Sequence, residues 1–94
     1  MISIVMAYFN RISQLRYTLQ TIARSRVRDY EIVIVEDFCD NKHHLTHVHA
    51  EFPDLPIRLI RMADRLSRKN YCNPCIPYNI GLRASRGDLI LLQN

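Results

Sequence analysis

Glycine and tryptophan are scarce in this sequence, which has two glycines and no tryptophan among its 94 residues. So little glycine is atypical of a flexible or fibrous chain. The apolar run that opens the chain has no basic region before it and no small-residue cleavage site after it, unlike a secretory signal. No stretch reaches the roughly 20 apolar residues that a membrane-spanning helix needs. We therefore expect one globular domain with no transmembrane segment.

Cysteine is also rare, and the three cysteines are an odd number that does not form a disulfide framework. This favours a reducing compartment, so we expect a cytoplasmic location. Cys72 and Cys75 have the spacing of a zinc or redox site, and four histidines lie within residues 43–49. No second such cysteine pair is present, and a helix cap at Asn73 also explains the segment. Buried thiols and surface histidines are therefore the preferred interpretation.

Positive charge predominates, with a formal net charge of +4 and eleven arginines among the thirteen basic residues. Arginine forms bidentate contacts with phosphate, so an anionic ligand or a nucleic acid is a reasonable partner. The arginines are spread along the chain, which also fits ordinary solvated helix faces and loops. The densest basic cluster, with an aromatic side chain for stacking, contains Arg58, Arg61, Arg65, Arg68, Lys69 and Tyr71. A small basic nucleic-acid-binding α/β module is therefore the alternative function.

Four short apolar segments predict β-strands, at residues 2–6, 30–35, 57–61 and 88–93. The second segment is rich in β-branched residues at successive positions, as is typical of parallel strands that helices cover on both faces. Between the strands the apolar period changes, and three helices are expected. The first follows Asn10 as its N-cap, the second follows Asp40 or Asn41, and the third runs from Pro74 to about Ser85.

The alternation of strands and helices predicts an α/β, Rossmann-like βαβαβαβ fold, with a four-stranded, mostly parallel sheet flanked by helices. Such sheets bind ligands at the carboxyl ends of their strands, near the point where the strand order reverses. Residues 7–10, 36–41 and 93–94 are then expected along one edge. A carboxylate there can accept hydrogen bonds from a nucleobase or a ribose. Equally, Asp37, Asp40 and Asn41 can form a turn and cap the next helix.

Four motifs carry a family resemblance, namely Ala7-Tyr8-Phe9-Asn10-Arg11, Glu36-Asp37-Phe38-Cys39, Asn79-Ile80-Gly81 and Ala84-Ser85-Arg86-Gly87-Asp88. In this order they resemble the Pro-x-Tyr-Asn, Asp-Asp-x-Ser, Asn-x-Gly and Ala-x-Gly-Asp/Glu motifs of the inverting GT-A-fold glycosyltransferase family. The resemblance covers essentially the whole chain. It implies a single N-terminal domain, residues 1–94, that binds a nucleotide-diphosphate sugar, with uridine diphosphate as the usual nucleotide and a hexosyl group transferred.

The resemblance also implies which residues bind the donor. These are Ala7, Phe9, Glu36, Asp37, Arg68 and Asn79. Phe9 falls where the family stacks an aromatic ring on the base, with Ala7 lining the same pocket, and Asp37 falls where an acid accepts a hydrogen bond from the base. Arg68 lies in the loop expected near the donor diphosphate. The sequence departs from the family at several of these positions, and Tyr78 stands where many members have arginine before Asn-x-Gly.

Asn94 falls where the family's metal-binding Asp-x-Asp motif begins. A divalent metal, manganese or magnesium, is expected for the full family domain, but an amide is a poor ligand for either ion. Metal binding by this chain is therefore expected to be weak or absent. The acceptor site and the catalytic base are expected beyond residue 94, so no catalytic residue is assigned and the chain alone is expected to be inactive.

The expected partners are a nucleotide-sugar donor and no nucleic acid. Residues 88–93 form an apolar strand with Asp88 as its one charge. An unpaired apolar edge strand recruits another strand or aggregates. Self-association through this C-terminal strand edge is therefore expected; fraying of the strand is the alternative.

Overall fold

A computed structural model describes residues 1–26, 28–38, 45, 48–62 and 75–93. In chain order its elements are β1 (Ile2–Tyr8), α1 (Ile12–Ala23), β2 (Tyr30–Glu36), α2 (Val48–Glu51), β3 (Ile57–Arg61), α3 (Cys75–Ala84) and β4 (Leu89–Gln93). All four predicted strands are present. β1 and β2 run further toward their carboxyl ends than predicted, because their ladder continues through Tyr8 and Glu36.

The four strands form one parallel sheet in the order β3-β2-β1-β4. The chain adds β2 and β3 on one side of β1 and then crosses back to place β4 on the other side. The strand order therefore reverses between β1 and β4, which creates a crevice at the carboxyl ends of these strands. The predicted α/β, Rossmann-like fold is confirmed.

α1 and α2 cover one face of the sheet. Leu15 and Leu19 of α1 share a buried core with Met6, Ile32 and Ile34 of the two central strands. These strand residues occupy alternate positions, and alternate side chains of a strand point to the same face. The α1 pattern of apolar residues predicted from the sequence therefore faces the sheet as expected.

α3 covers the opposite face and lies unusually close to the sheet. A Cβ atom at Gly81 would lie 2.5 Å from Cγ1 of Val5 and 3.2 Å from Cγ2 of Val35. Pro77, four residues earlier on the same face of α3, is also buried. It lies in the first turn, where a helix tolerates proline because the backbone N–H has no partner within the helix. Gly81 thus determines how closely α3 approaches β1 and β2.

A buried polar network joins the amino ends of the strands, at the edge opposite the crevice. Ser3 Oγ donates a hydrogen bond to Glu31, and the backbone N–H of Arg86 donates to the same carboxylate at 2.6 Å. The N–H of Gly87 donates to Ser3 Oγ at 2.8 Å, and Arg58 forms an ion pair with Glu31 at 3.2 Å. The turn between α3 and β4 is thereby attached to β1 and β2.

Gly87 is required in this turn by space rather than by backbone conformation. A Cβ atom at this position would lie 2.7 Å from the carbonyl oxygen of Met1 and 2.8 Å from the backbone nitrogen of Ser3. Backbone atoms of a paired strand cannot move aside as a flexible side chain can. This contact explains why the residue before Asp88 is a glycine.

The predicted helix caps differ in outcome. Asn10 is not the N-cap of α1; that position belongs to Arg11, which makes no side-chain capping bond. Asn10 instead has a positive φ of 50°, in the left-handed region that asparagine tolerates better than most residues, and it turns the chain between β1 and α1. The predicted caps at Asp40, Asn41 and Asn73, and the predicted helix start at Pro74, lie outside the described residues. Among the described helices, none is long and apolar enough to cross a membrane.

Candidate functional site

A cleft of about 550 Å³ opens at the carboxyl ends of β1 and β2. It is lined by Ala7, Tyr8, Phe9, Arg11, Gln14, Asp37, Pro77 and Tyr78. This volume is within the range of small-molecule sites, roughly 300–1,000 Å³. The cleft also lies at the carboxyl ends of parallel strands, the edge at which open α/β sheets bind ligands.

Phe9 provides an aromatic surface in the cleft. It follows the last residue of β1 and is 47% exposed, whereas its neighbour Tyr8 is 4% exposed and packs in the core. Half-exposure leaves part of the ring accessible to a ligand. A planar base can stack on such a surface, which is worth roughly 1–3 kcal/mol per base.

Asp37 is held at the same edge by the backbone of the neighbouring strand. Its N–H donates a hydrogen bond to the carbonyl oxygen of Tyr8 at 2.8 Å, just past the last pair of the β1–β2 ladder. Asp37 is 7% exposed and lines the cleft. The small side chain of Ala7 also lines the cleft. Three of the six predicted donor-binding residues are therefore brought together.

Glu36 has different surroundings from Asp37. Its side chain is 2% exposed, and the residue is not part of the cleft lining. Its carboxylate accepts hydrogen bonds from the backbone N–H of Leu45 at 2.9 Å and from Nε of Arg61 at 2.8 Å. Consecutive strand residues face opposite sides of a sheet, so Glu36 points to the α1 side while Asp37 does not. Its observed contacts connect the end of β2 to Leu45 and β3.

The remaining predicted residues are not part of the cleft lining that the structure describes. Asn79 is an exposed residue of α3, and Arg68 and Asn94 lie outside the described residues. Sequence reasoning missed Arg11, Gln14 and Pro77 as cleft residues and noted Tyr78 only as a departure from the family. The sequence did contain a signal that could have indicated the α3 residues of the cleft. Pro77 and Gly81 are four residues apart, which puts two compact residues on one helix face and Tyr78 beside them.

Two arginines of the basic cluster noted in the sequence form ion pairs with glutamates. Arg58 forms an ion pair with Glu31 at 3.2 Å, and Arg61 forms one with Glu36 at 2.8 Å. Both glutamates are nearly buried, so both arginines are held against the protein surface. The other members of the cluster, at positions 65, 68, 69 and 71, lie outside the described residues. The two arginines that are described therefore have a structural role in the sheet.

Within the described ranges, no group of three or more His, Cys, Asp or Glu side chains is placed to hold a metal ion. Of the cysteines and histidines considered in the sequence, Cys75 and His49 are described, and both are exposed. The prediction of buried thiols is therefore wrong for Cys75, which begins α3 at the surface. Cys72, His43 and His47 lie outside the described residues. Among the residues that it describes, the structure thus assigns no metal ligand.

Comparison with known proteins identifies the family. The profile of glycosyl transferase family 2 matches residues 3–94. The chain belongs to this family. The resemblance seen in the four sequence motifs is therefore confirmed.

One curated relative of this family 2 chain is an uncharacterized glycosyltransferase, YwdF, of Bacillus subtilis strain 168. It is 35% identical over 91 residues, which cover 97% of this chain and 31% of the relative. The chain thus spans about a third of the relative's length. The crystal structure of S. aureus TarS has a similar fold, with a TM-score of 0.81 and 20% identity, over 98% of this chain and 16% of TarS. That similarity supports the fold alone.

Proposed function

We propose that this chain binds the nucleotide of a nucleotide-diphosphate-sugar donor in the cleft at the carboxyl ends of β1 and β2, and that the nucleotide is uridine diphosphate. The observation that carries the proposal is the presence of Phe9, Ala7 and Asp37 in one cleft at the carboxyl ends of β1 and β2. These residues lie at or just after the ends of two strands and meet because β1 and β2 are neighbours in register.

The chemistry of the cleft fits a uracil base. Phe9 offers a half-exposed ring for stacking, and Asp37 offers a carboxylate that can accept a hydrogen bond from the imide N–H of uracil. A base without an N–H donor at that position would not form this hydrogen bond, which favours uracil. Arg11 adds a cation to the cleft wall, which suits an anionic ligand.

The sugar-transfer reaction is proposed for the whole enzyme and only nucleotide binding for this chain, since the chain matches 31% of the length of its relative. We propose hexosyl transfer on the basis of family membership. On the same basis we propose that Asn79 and Arg68 lie beside the donor and that Asn94 is a ligand of manganese or magnesium. We also propose a cytoplasmic location. For Glu36 we propose a supporting role through Leu45 and Arg61 rather than contact with the base.

The test is calorimetric titration of the purified chain with uridine diphosphate, compared with adenosine and guanosine diphosphates and with a short duplex DNA. Saturable binding with a preference for uridine diphosphate is expected. The purine nucleotides control for general attraction of diphosphates to a basic protein. DNA binding with no nucleotide preference would instead support the nucleic-acid-binding alternative and reject the donor site.

A further inference from the structure

Tyr78 connects the cleft to the end of β4. Its hydroxyl donates a hydrogen bond to the carbonyl oxygen of Gln93, the last residue of β4, at 3.1 Å. The same residue lines the cleft beside Pro77. One side chain on α3 therefore forms part of the cleft wall and also holds the carboxyl end of the neighbouring strand.

Apart from the ladder with β1, which extends to the pair Met6 and Gln93, β4 has few other means of holding that end in place. It is an edge strand that pairs with β1, and its four apolar residues from Leu89 to Leu92 are between 45% and 66% exposed, so they contribute little packing. The amino end is attached through the N–H of Asp88, which donates to the carbonyl oxygen of Met1, and through the Gly87–Ser3 bond. Tyr78 provides an attachment at the opposite end.

The cleft lining relates this attachment to ligand binding. Besides residues at the carboxyl ends of β1 and β2, the lining includes Pro77 and Tyr78 of α3. A ligand whose base lies over Phe9 and Asp37 can therefore extend over the α3 part of the lining, where Tyr78 also contacts the end of β4.

We propose that Tyr78 is a positioning residue of the donor site: by holding the carboxyl end of β4 against α3, it shapes the part of the cleft that receives the donor's diphosphate. This inference rests on the proposed function, because it takes the base to be bound at Phe9 and Asp37. We therefore expect Tyr78 to affect the binding of the ligand's diphosphate and not the binding of its base.

The test compares uridine with uridine diphosphate in two matched variants. Tyr78→Phe keeps the ring and removes the hydroxyl, whereas Tyr17→Phe makes the same change at a residue of α1 that is 73% exposed and outside the cleft lining. In Tyr78→Phe we expect unchanged affinity for uridine and roughly threefold to tenfold weaker binding of uridine diphosphate, the size of one lost hydrogen bond. Tyr17→Phe should bind both ligands as the wild type does.

Hydrogen exchange provides a readout without ligand. In Tyr78→Phe the amide of Gln93, whose N–H faces β1 as that of Leu89 does, should exchange faster, while the amide of Leu89 at the other end of β4 should be unaffected. Equal weakening of uridine and uridine diphosphate, or no change in either, would overturn the positioning role. If the wild type binds neither ligand, the donor site itself is rejected and the Tyr78 proposal with it. Circular dichroism confirms that each variant is folded.

Discussion

The backbone N–H of Asp37 and the carbonyl oxygen of Tyr8 are 2.8 Å apart, and this hydrogen bond lies just beyond the ladder that joins β1 to β2. The bond fixes Asp37 relative to the end of β1, from which Phe9 follows directly. A carboxylate and an aromatic ring at the ends of two different strands are thereby placed in one cleft, whose lining also includes Ala7. The position of the candidate site is thus a consequence of strand register.

The first prediction concerns the base-binding residues. Asp37→Ala and Phe9→Ala should each weaken the binding of uridine diphosphate by about 1–3 kcal/mol, because one removes a hydrogen-bond acceptor and the other removes a stacking surface. Calorimetry measures the change. Asp54→Ala, in the exposed turn before β3, is a control that also removes one acidic side chain. Wild-type affinity in both cleft variants would reject the site assignment.

The second prediction concerns divalent metal. We expect manganese to change the affinity of this chain for uridine diphosphate by less than about tenfold, since an amide at position 94 is a poor ligand for a hard cation. Titrations with manganese and with a chelator provide the comparison. A gain well above tenfold would show that other residues of this chain, together with the diphosphate, complete a metal site.

The third prediction concerns assembly of the 94-residue chain. In the strand order β3-β2-β1-β4, β4 lies at an edge with Leu89 at 66% and Leu92 at 53% exposure. Apolar edge strands pair with one another unless charge or a covering element prevents it. We therefore expect concentration-dependent self-association, measured by light scattering.

The control for this assembly is the pair of variants Leu91→Lys and Ile60→Lys. They add the same charge to β4 and to β3, the strand at the other edge of the sheet. Only Leu91→Lys should return the chain to a monomer. A wild type that remains monomeric at high concentration, with β4 protected from hydrogen exchange, would contradict the prediction.

The fourth prediction concerns acid stability. Burial alone would raise the pKa of Glu31, but hydrogen bonds from Ser3 and Arg86 and the charge of Arg58 outweigh it, so the pKa is lowered from its ordinary value of 4.5. A lowered pKa in the folded state means that ionised Glu31 stabilises the fold above pH 4.5. This contribution is lost as the pH falls below that value and approaches the folded pKa.

Urea unfolding at neutral pH and below pH 4.5 tests this linkage. Glu31→Gln should lower the free energy of unfolding at neutral pH and reduce its dependence on acid. Glu51→Gln is the matched control, because it neutralises a glutamate in an exposed ion pair with Arg16, and such pairs contribute at most about 1 kcal/mol. Identical acid profiles for wild type and Glu31→Gln would assign the pH dependence to other groups.

Much of the fold was predictable from local pattern. The continuous apolar run in β2 and the three- and four-residue spacing in α1 indicated a strand buried on both faces and an amphipathic helix, and both are present. Alternation of these elements required a parallel sheet, because each helix returns the chain to the same end. Phe9 and Asp37 could be placed at one edge for the same reason.

The tertiary structure decided which polar residues face the cleft. Glu36 and Asp37 are adjacent acids in the sequence, yet the partners of Glu36 are Leu45 and Arg61, nine and 25 residues away. Tyr78 meets Gln93 only because β4 lies on the far side of β1. Local sequence determines the period of a segment and hence its secondary structure, whereas hydrogen bonds between distant residues depend on strand order and register, which arise when the whole sheet assembles.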